Sequence, residues 1–276
     1  MSAGPGRGAV TWSRRVPAPF SRLLSVAVVA AVLSLSTSVI ARGQPAARPD
    51  ASTSNPLPGL DSVLARYVEA RGGAQRLRGV EAIRMAGTMT GPLGDEVPTT
   101  IYMRRPNRIR QEVEVDGQTL VQAFDGARGW TLNPMTGRRW VEVPRAVARR
   151  MAEQADFDGP LVDPAAKGHR IEVVGTGRVG DRPALELRLF RKSGEVQSIW
   201  LDLERWLELK TEGTVDQGGH QVRVESRNSD FRTVDGVTLP FVVEVFADGR
   251  VQQRIALDRV EFPATLEDRL FEPPGR

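Results

Sequence analysis

The chain of 276 residues contains no cysteine and only two histidines, His169 and His220. Because no disulfide can form, the fold depends on packing, and cysteine nucleophiles and thiolate metal ligands are excluded. Neither histidine has a serine or an acid at a hydrolase-like spacing, and the sequence has no Gly-x-Ser-x-Gly motif. No histidine–carboxylate cluster has the spacing of a metal site. We therefore expect no enzymatic activity, no metal and no cofactor.

Acidic residues are absent from the first 41 positions, which hold four arginines, Arg7, Arg14, Arg15 and Arg22. The remaining residues, 42–276, contain 34 basic and 34 acidic side chains, so they carry no net charge. The formal charge of +4 thus belongs to the leader. Without a surplus of basic residues, the sequence predicts no nucleic-acid partner.

The leader has the parts of an export signal. After its arginines, Leu23 to Ile40 form 18 residues without a charge, and Ala41 follows as a small residue at a cleavage site. We interpret residues 1–41 as a signal peptide that sends the protein to the periplasm. The alternative is an uncleaved segment that anchors the protein in the membrane, because 18 uncharged residues approach spanning length. Residues 42–59, rich in Pro, Ala, Ser and Thr, are predicted to be a disordered linker.

Residues 60–276 show the alternation of β-strands over most of their length. Ile109, Val113 and Val115 point to one side of a predicted strand, and the charged residues between them point to the other. Asp116-Gly117 then supplies the residue pair of a two-residue hairpin turn. Similar turn signals recur every ten to fifteen residues to the end of the chain, which is typical of a continuous antiparallel sheet.

Two helices are predicted among these strands. The first begins at Leu60, with apolar residues at helical spacing, and Gly72-Gly73 ends it. The second is the segment PRAVARRMAEQA, which begins at Pro144. An irregular loop, Asp156 to Gly168, follows it. Since a helix and a long loop rarely interrupt a meander, this insertion is predicted to cover an opening.

Several strands carry large apolar residues on both faces, as where Ile199 and Leu201 flank Trp200. Both faces must therefore be covered, or one face must line an apolar cavity. Together these patterns predict a mainly β fold: a curved antiparallel sheet that forms an incomplete, or half, barrel of about eleven strands. Two or three helices are expected to cover its concave side.

The run Arg105-Pro106-Asn107-Arg108-Ile109-Arg110, followed by Val115 to Leu120, resembles the outer-membrane lipoprotein-sorting (LolA/LolB-like) family of periplasmic carriers. Further similarity lies in Trp206 to Lys210 and in Val234 to Pro240. The resemblance covers residues 60 to 272. It implies an incomplete antiparallel barrel whose helices lie over an apolar concavity that accepts lipid acyl chains. It also implies that Arg105 joins the barrel to the lid.

Two departures from the family's pattern leave the transported species open. The interval after Asp156 is longer than the family's, and the hairpin ends in Ala123 to Gly126 without the carriers' aromatic cluster.

We expect an exported soluble carrier or chaperone that binds acyl chains of a lipoprotein or lipid. The alternative is an envelope-stress sensor or another ligand-binding module with the same fold and no transport activity. A membrane-bound donor or acceptor protein is an expected partner, and the chain is expected to be a monomer. Beside Arg105, the residues predicted to line or close the cavity are Ile109, Val113, Val115, Phe124, Trp130, Trp140, Val147 and Met151.

Overall fold

The computed structural model describes residues 57–137, 139–217 and 220–273. The predicted signal peptide, residues 1–41, and most of the predicted linker lie outside this part of the chain. The first helix begins at Leu60, the residue at which the apolar periodicity starts.

Thirteen antiparallel strands form one open sheet. In chain order they are β1 (Ala82–Thr90), β2 (Glu96–Arg104), β3 (Arg108–Val115), β4 (Gln118–Phe124), β5 (Gly129–Leu132), β6 (Trp140–Glu142), β7 (Arg170–Val179), β8 (Arg182–Phe190), β9 (Val196–Asp202), β10 (Glu208–Gln217), β11 (His220–Val234), β12 (Val237–Ala247) and β13 (Arg250–Glu261).

The sheet consists of two meanders that meet at its centre. Strands β1 to β6 run outward to one edge, the chain then crosses to the other edge at β7, and β7 to β13 return until β13 pairs with β1. This sheet is not closed, so the predicted half-barrel is confirmed. The strand number is thirteen instead of about eleven.

Asp-Gly pairs make the tight turns of this meander. Asp116 and Gly117 have φ angles of 50° and 71°, and the pairs Asp235-Gly236 and Asp248-Gly249 have similar values. Positive φ at both central residues gives the turn whose twist matches that of the flanking strands. The hairpin predicted at Asp116-Gly117 is therefore confirmed, with Val115 opposite Gln118.

Two strands extend past prolines that the sequence pattern treats as breaks. Pro98 lies in β2, where pairing with β3 starts only at Thr99, so the missing N–H faces no partner there. Pro240 lies in β12 opposite Phe231, beside a local irregularity at Asp230, whose φ is 50°. Strands β2 and β12 therefore begin before these prolines, at Glu96 and Val237.

In the described part of the chain, three helices lie on the concave face of the sheet: α1 (Leu60–Ala70), α2 (Ala74–Arg78) and α3 (Arg145–Gln154). Helix α1 buries Val63 and Tyr67 against leucines of β8 and β9, and α2 buries Leu77 against β12, β13 and β1. Helix α3 packs over β3, β4 and β5. The predicted cover of helices is confirmed, with the short α2 as the third.

The convex face of the first meander is covered by the C-terminal segment. A single 3₁₀ turn, Asp268–Phe271, contacts β3, and Phe271 is fully buried. Asp268 forms ion pairs with Arg104 and Arg108, and the guanidinium of Arg110 donates to the carbonyl of Leu270 at 3.0 Å. Within the described ranges, no helix is long and apolar enough to span a membrane.

The junction between α1 and the β11–β12 hairpin predicts one large stability effect. A Cβ at Gly72 would lie 2.0 Å from the carbonyl oxygen of Gly236, and the φ of Gly72 is 117°. We expect Gly72→Ala to lower the free energy of unfolding by about 3 kcal/mol, measured by urea denaturation, because backbone atoms must move. Gly94→Ala is the matched control: its φ is also positive, at 87°, but a Cβ there meets open space, so about 1 kcal/mol is expected. Equal losses would contradict the close approach.

Candidate functional site

Helix α3 is seated on the concave face by an apolar contact. Met151 is 2% exposed and packs with Phe124, which is 3% exposed, while Ile109 and Val147 lie at the margin of the same cluster. The strand beneath requires a residue without a side chain at Gly129, because a Cβ there would lie 2.8 Å from the sulfur of Met151. The glycine thus allows the helix to approach β5 closely.

The charges of α3 oppose its own dipole. Its N-cap position is Pro144, which provides no side-chain cap, and no acidic residue lies in the first turn. Instead Arg145 occupies the positive end of the helix, and Glu153 lies near its negative end. Since neither end is stabilised locally, α3 depends on its apolar contact with the sheet.

A cavity of about 390 Å³ lies between the other side of α3 and strands β9 to β12. Its wall on the helix side includes Arg150, Glu153 and Gln154, and Pro160 of the following loop contributes as well. This volume is within the range of sites that bind small ligands, roughly 300–1,000 Å³.

The floor of the cavity combines polar and apolar side chains. Thr211 of β10 pairs with Ser226 of β11, which in turn pairs with Val245 of β12, and all three line the cavity. Gln253 of β13 continues this row opposite Val245, but it is 2% exposed and lies outside the cavity lining. The hydroxyl groups of Thr211 and Ser226 allow the cavity to receive polar groups as well as apolar ones.

Four charged residues lie at the α3 end of the cavity. Arg150 and Glu153 come from the helix, and Arg191 and Glu195 from the β8–β9 hairpin. The guanidinium of Arg191 lies 3.8 Å from the carboxylate of Glu153, which links the helix to the hairpin. Burial raises the pKa of Glu195, and the negative charge of Glu153 raises it further, while the arginines oppose both effects.

A second polar cluster lies beneath the C-terminal end of α1. The guanidinium of Arg71 donates to the hydroxyl of Tyr67 at 3.1 Å, and the amide of Asn228 donates to the carboxylate of Glu208 at 3.3 Å. Glu208 also lines the cavity. Burial raises the pKa of Glu208, and the positive charge of Arg71 limits the rise. This cluster places a buried carboxyl group with a raised pKa at the wall of the cavity.

Arg105 fastens the loop that follows α3. Its guanidinium donates to both carboxylate oxygens of Asp158, at 2.5 and 2.8 Å, and to the carbonyls of Val80 and Leu77, at 2.8 and 2.9 Å. It also lies over the ring of Phe157, 4.5 Å from the centroid. Such bidentate, charge-assisted hydrogen bonds fix geometry strongly.

The rest of this loop, residues 155–169, is held at several further points, and we call it the crossover loop. Lys167 binds Asp156 at 2.6 Å, and Arg71 donates to the carbonyl of Asp158 at 2.8 Å. Leu161 is fully buried against α1 and the leucines of β8. Asp156 and Asp158 of the loop thus take part in ion pairs. No group of three or more potential metal-ligating side chains occurs among the described residues.

The structure brings together only part of the predicted site. Ile109, Phe124, Val147 and Met151 form the contact beneath α3. Val113 and Val115 lie on the same face in a neighbouring cluster with Met89 and Leu120. Arg105 lies at the crossover loop, as described above. Whether any of these residues contacts a ligand remains a prediction.

The structure places the two predicted tryptophans, Trp130 and Trp140, on the face of the sheet away from the cavity. Phe124 pairs with Gly129, so the next residue, Trp130, falls on the convex face opposite Ala123. Trp140 pairs with Leu132 on that face, where Arg110 lies 5.7 Å from its ring centroid. Neither tryptophan lines the concave side, because the register set by Gly129 turns both outward.

Sequence reasoning missed the cavity floor. Its signal is the presence of small or polar residues, such as Thr211, Gly213 and Ser226, at the strand positions that in β8 hold leucines. The two histidines lie apart from it: His169 accepts a hydrogen bond from the backbone N–H of Lys192, and His220 begins β11.

Comparison with solved structures supports the fold. The chain is similar to a LolA superfamily protein from Nitrosomonas europaea, with a TM-score of 0.54 and 12% identity over 79% of this chain and 99% of the other. It is also similar to a domain described as an outer membrane lipoprotein-sorting protein from Vibrio parahaemolyticus, with a TM-score of 0.53 and 11% identity over 77% and 95% of the two chains. No family model matches the sequence, and no curated protein does. At these identities the likeness shows a shared fold, which confirms the resemblance found in the sequence.

The ion pair of Arg105 and Asp158 predicts strong energetic coupling. In a double-mutant cycle of Arg105→Ala and Asp158→Ala, the free energies of unfolding should couple by about 1–3 kcal/mol, because the pair is bidentate and partly buried. Arg105→Ala alone should cost more than Asp158→Ala, since it also leaves two carbonyls without a donor. The exposed pair Arg170 and Glu172 is the control and should couple weakly. Additive effects of the first pair would contradict the role of Arg105 as a fastener.

The raised pKa of Glu195 predicts a pH dependence. Between its ordinary value, 4.5, and its raised folded value, the folded protein keeps a proton that the unfolded chain has lost. Stability from this group is therefore full below pH 4.5 and is lost as the pH rises through the folded pKa. The difference in free energy of unfolding between wild type and Glu195→Gln should decrease over that interval, by about 1.4 kcal/mol per unit of pKa shift. Urea titrations at several pH values measure this difference, with exposed Glu114→Gln as control; a constant difference would refute the assignment.

Proposed function

We propose that this chain is an exported carrier that shelters acyl chains of a lipoprotein or lipid beneath α3. The observation that carries the proposal is the cavity between α3 and strands β9 to β12, within an open half-barrel. The fold shared with a LolA superfamily protein and a lipoprotein-sorting domain supports it. Periplasmic localisation, action as a monomer and exchange with a membrane-bound donor or acceptor protein are parts of the same proposal.

Helix α3 is the moving part in this mechanism. It contacts the sheet through one small cluster centred on Met151, and its end charges oppose its dipole. Elements with few buried contacts open at low free-energy cost. The crossover loop, fastened by Arg105 and Leu161, stays in place and provides the fixed end of a hinge. Outward movement of α3 would join the cavity to the apolar surface around Phe124.

Cargo binding then replaces one apolar contact by another. An acyl chain gains about 25 cal/mol for each Å² of apolar surface removed from water. Displacing α3 exposes Met151 and Phe124 to water unless the chain covers them, which offsets part of that gain. The resulting affinity is moderate, as a carrier that must release its cargo requires. The polar part of the floor, Thr211 and Ser226, can receive the ester, amide or head group at the end of the chain.

Native mass spectrometry of the exported protein, purified without detergent, tests the proposal. We expect a bound mass that dissociates as a lipid or an acylated peptide. Val245→Trp should abolish it, because Val245 lines the cavity and the indole would fill it. Val242→Trp is the matched control, since Val242 lies on the opposite face of the same strand and should leave the bound mass unchanged.

An empty protein that copurifies with a membrane-bound protein would refute the carrier and favour a sensor that uses the same fold. Loss of the bound mass in both tryptophan variants would contradict the assignment of the cavity, because the control substitution does not reach it. Circular dichroism and thermal melting of both variants establish that the fold is retained.

A further inference from the structure

The arginines of the chain are concentrated around α3. Residues 126–152 contain six arginines and a single acid, Glu142, so this segment carries a net charge of +5. Residues 42–276 as a whole are neutral, and the part outside the segment therefore carries −5. The acids Glu153, Asp156 and Asp158 follow directly, so the positive charge is confined to the β5–β6 hairpin and the first part of α3, where it would attract a negative partner.

Three of these arginines lie on the outer side of the segment. Arg139 is exposed at the end of the β5–β6 hairpin, and Arg145 and Arg149 are exposed one helical turn apart on α3. None of the three forms an ion pair with another described residue, whereas the arginines of the neighbouring strands do so repeatedly. Their charges are thus available to a partner.

Two exposed apolar side chains accompany them. Val141 of β6 is 56% exposed, and Met135 of the β5–β6 hairpin is 46% exposed. Val141 lies between Arg139 and Arg145 in sequence, Met135 precedes Arg139, and both lie at the same edge of the sheet. We call Met135, Arg139, Val141, Arg145 and Arg149 the arginine edge.

We propose that the arginine edge docks on the surface of an anionic lipid membrane. Arginine guanidinium groups bind lipid phosphates while their methylene groups lie along apolar surface. Valine and methionine side chains can enter the boundary of the acyl region. Several basic residues close to an anionic membrane add about 1 kcal/mol each.

The shape of this edge favours a membrane over an acidic protein. Strand β6 has three residues, Trp140–Glu142, which is too short to receive an added strand from a partner. The exposed groups lie on the β5–β6 hairpin and on α3, which together form an edge of the molecule. A lipid surface needs no complementary shape, only charge and a few apolar side chains.

Docking would place α3, the helix that covers the cavity, against the membrane. Arg145 and Arg149 are exposed on α3, and Glu153, one turn further along the same side of the helix, lines the cavity together with Arg150. A force on the outer side of the helix therefore acts on the element that covers the cavity. The docking itself does not rest on the proposed carrier function, because it concerns the outer surface alone.

Binding to vesicles tests the docking with purified protein. Vesicles of phosphatidylcholine are compared with vesicles in which about one-third of the lipid is phosphatidylglycerol. We expect binding to the anionic vesicles only, decreasing as salt is raised. The triple variant Arg139→Gln, Arg145→Gln, Arg149→Gln should lose about a hundredfold in affinity.

The matched control is the triple variant Arg76→Gln, Arg178→Gln, Arg250→Gln, which changes the net charge equally at exposed arginines outside the segment. It should retain affinity within about threefold. Val141→Ser with Met135→Ser should weaken binding without changing its salt dependence.

Equal losses in the two arginine variants, equal binding to both kinds of vesicle, or no binding to anionic vesicles at low salt would each overturn the proposal. If the protein does not bind anionic vesicles at low salt, an acidic protein becomes the partner that fits the positive charge of the arginine edge. Native mass spectrometry of the triple arginine-to-glutamine variant distinguishes membrane docking from cargo binding. The variant should keep any bound mass, because none of its three substitutions lies in the cavity lining.

Discussion

The guanidinium group of Arg105 joins three segments that the sheet alone would leave apart. It binds carbonyls in the last turn of α2 and just after it, it belongs to the turn between β2 and β3, and it holds Asp158 of the crossover loop. The chain must pass over the concave face to reach β7 from β6, since these strands lie at opposite edges. Fastening that passage in the middle fixes the point at which the crossover loop leaves α3, while the contact of Met151 seats the helix itself.

Much of the fold could be predicted because it is encoded locally. Asp-Gly pairs specify turns by backbone sterics, and apolar alternation specifies strands, so the meander and the half-barrel are readable from residue to residue. The helix from Arg145 was equally clear from its apolar periodicity. The strand ends at Pro98 and Pro240 were not, because tolerance of proline depends on whether a neighbouring strand needs its N–H.

The candidate site could be predicted only where it lies close to such local signals. Phe124 and Met151 were placed together because each marks the apolar face of a predicted element. Trp130 was placed on the wrong face, since a shift of one residue in pairing reverses every side chain of a short strand. The cavity floor, from Thr211 to Val245, crosses three consecutive strands. Its alignment depends on the register of two pairings and on a curvature that no local pattern encodes.

The pairing of β1 with β13 joins the beginning of the domain to its end. When the chain emerges N-terminus first, β1 waits with one side unpaired until all later strands have appeared. An unpaired strand of nine residues is open to wrong partners during that time. Arg84 and Glu261, 2.8 Å apart across this seam, meet only in the last step. Folding therefore follows an order: the two meanders can form separately, but the single sheet forms only after β13 is available to pair with β1.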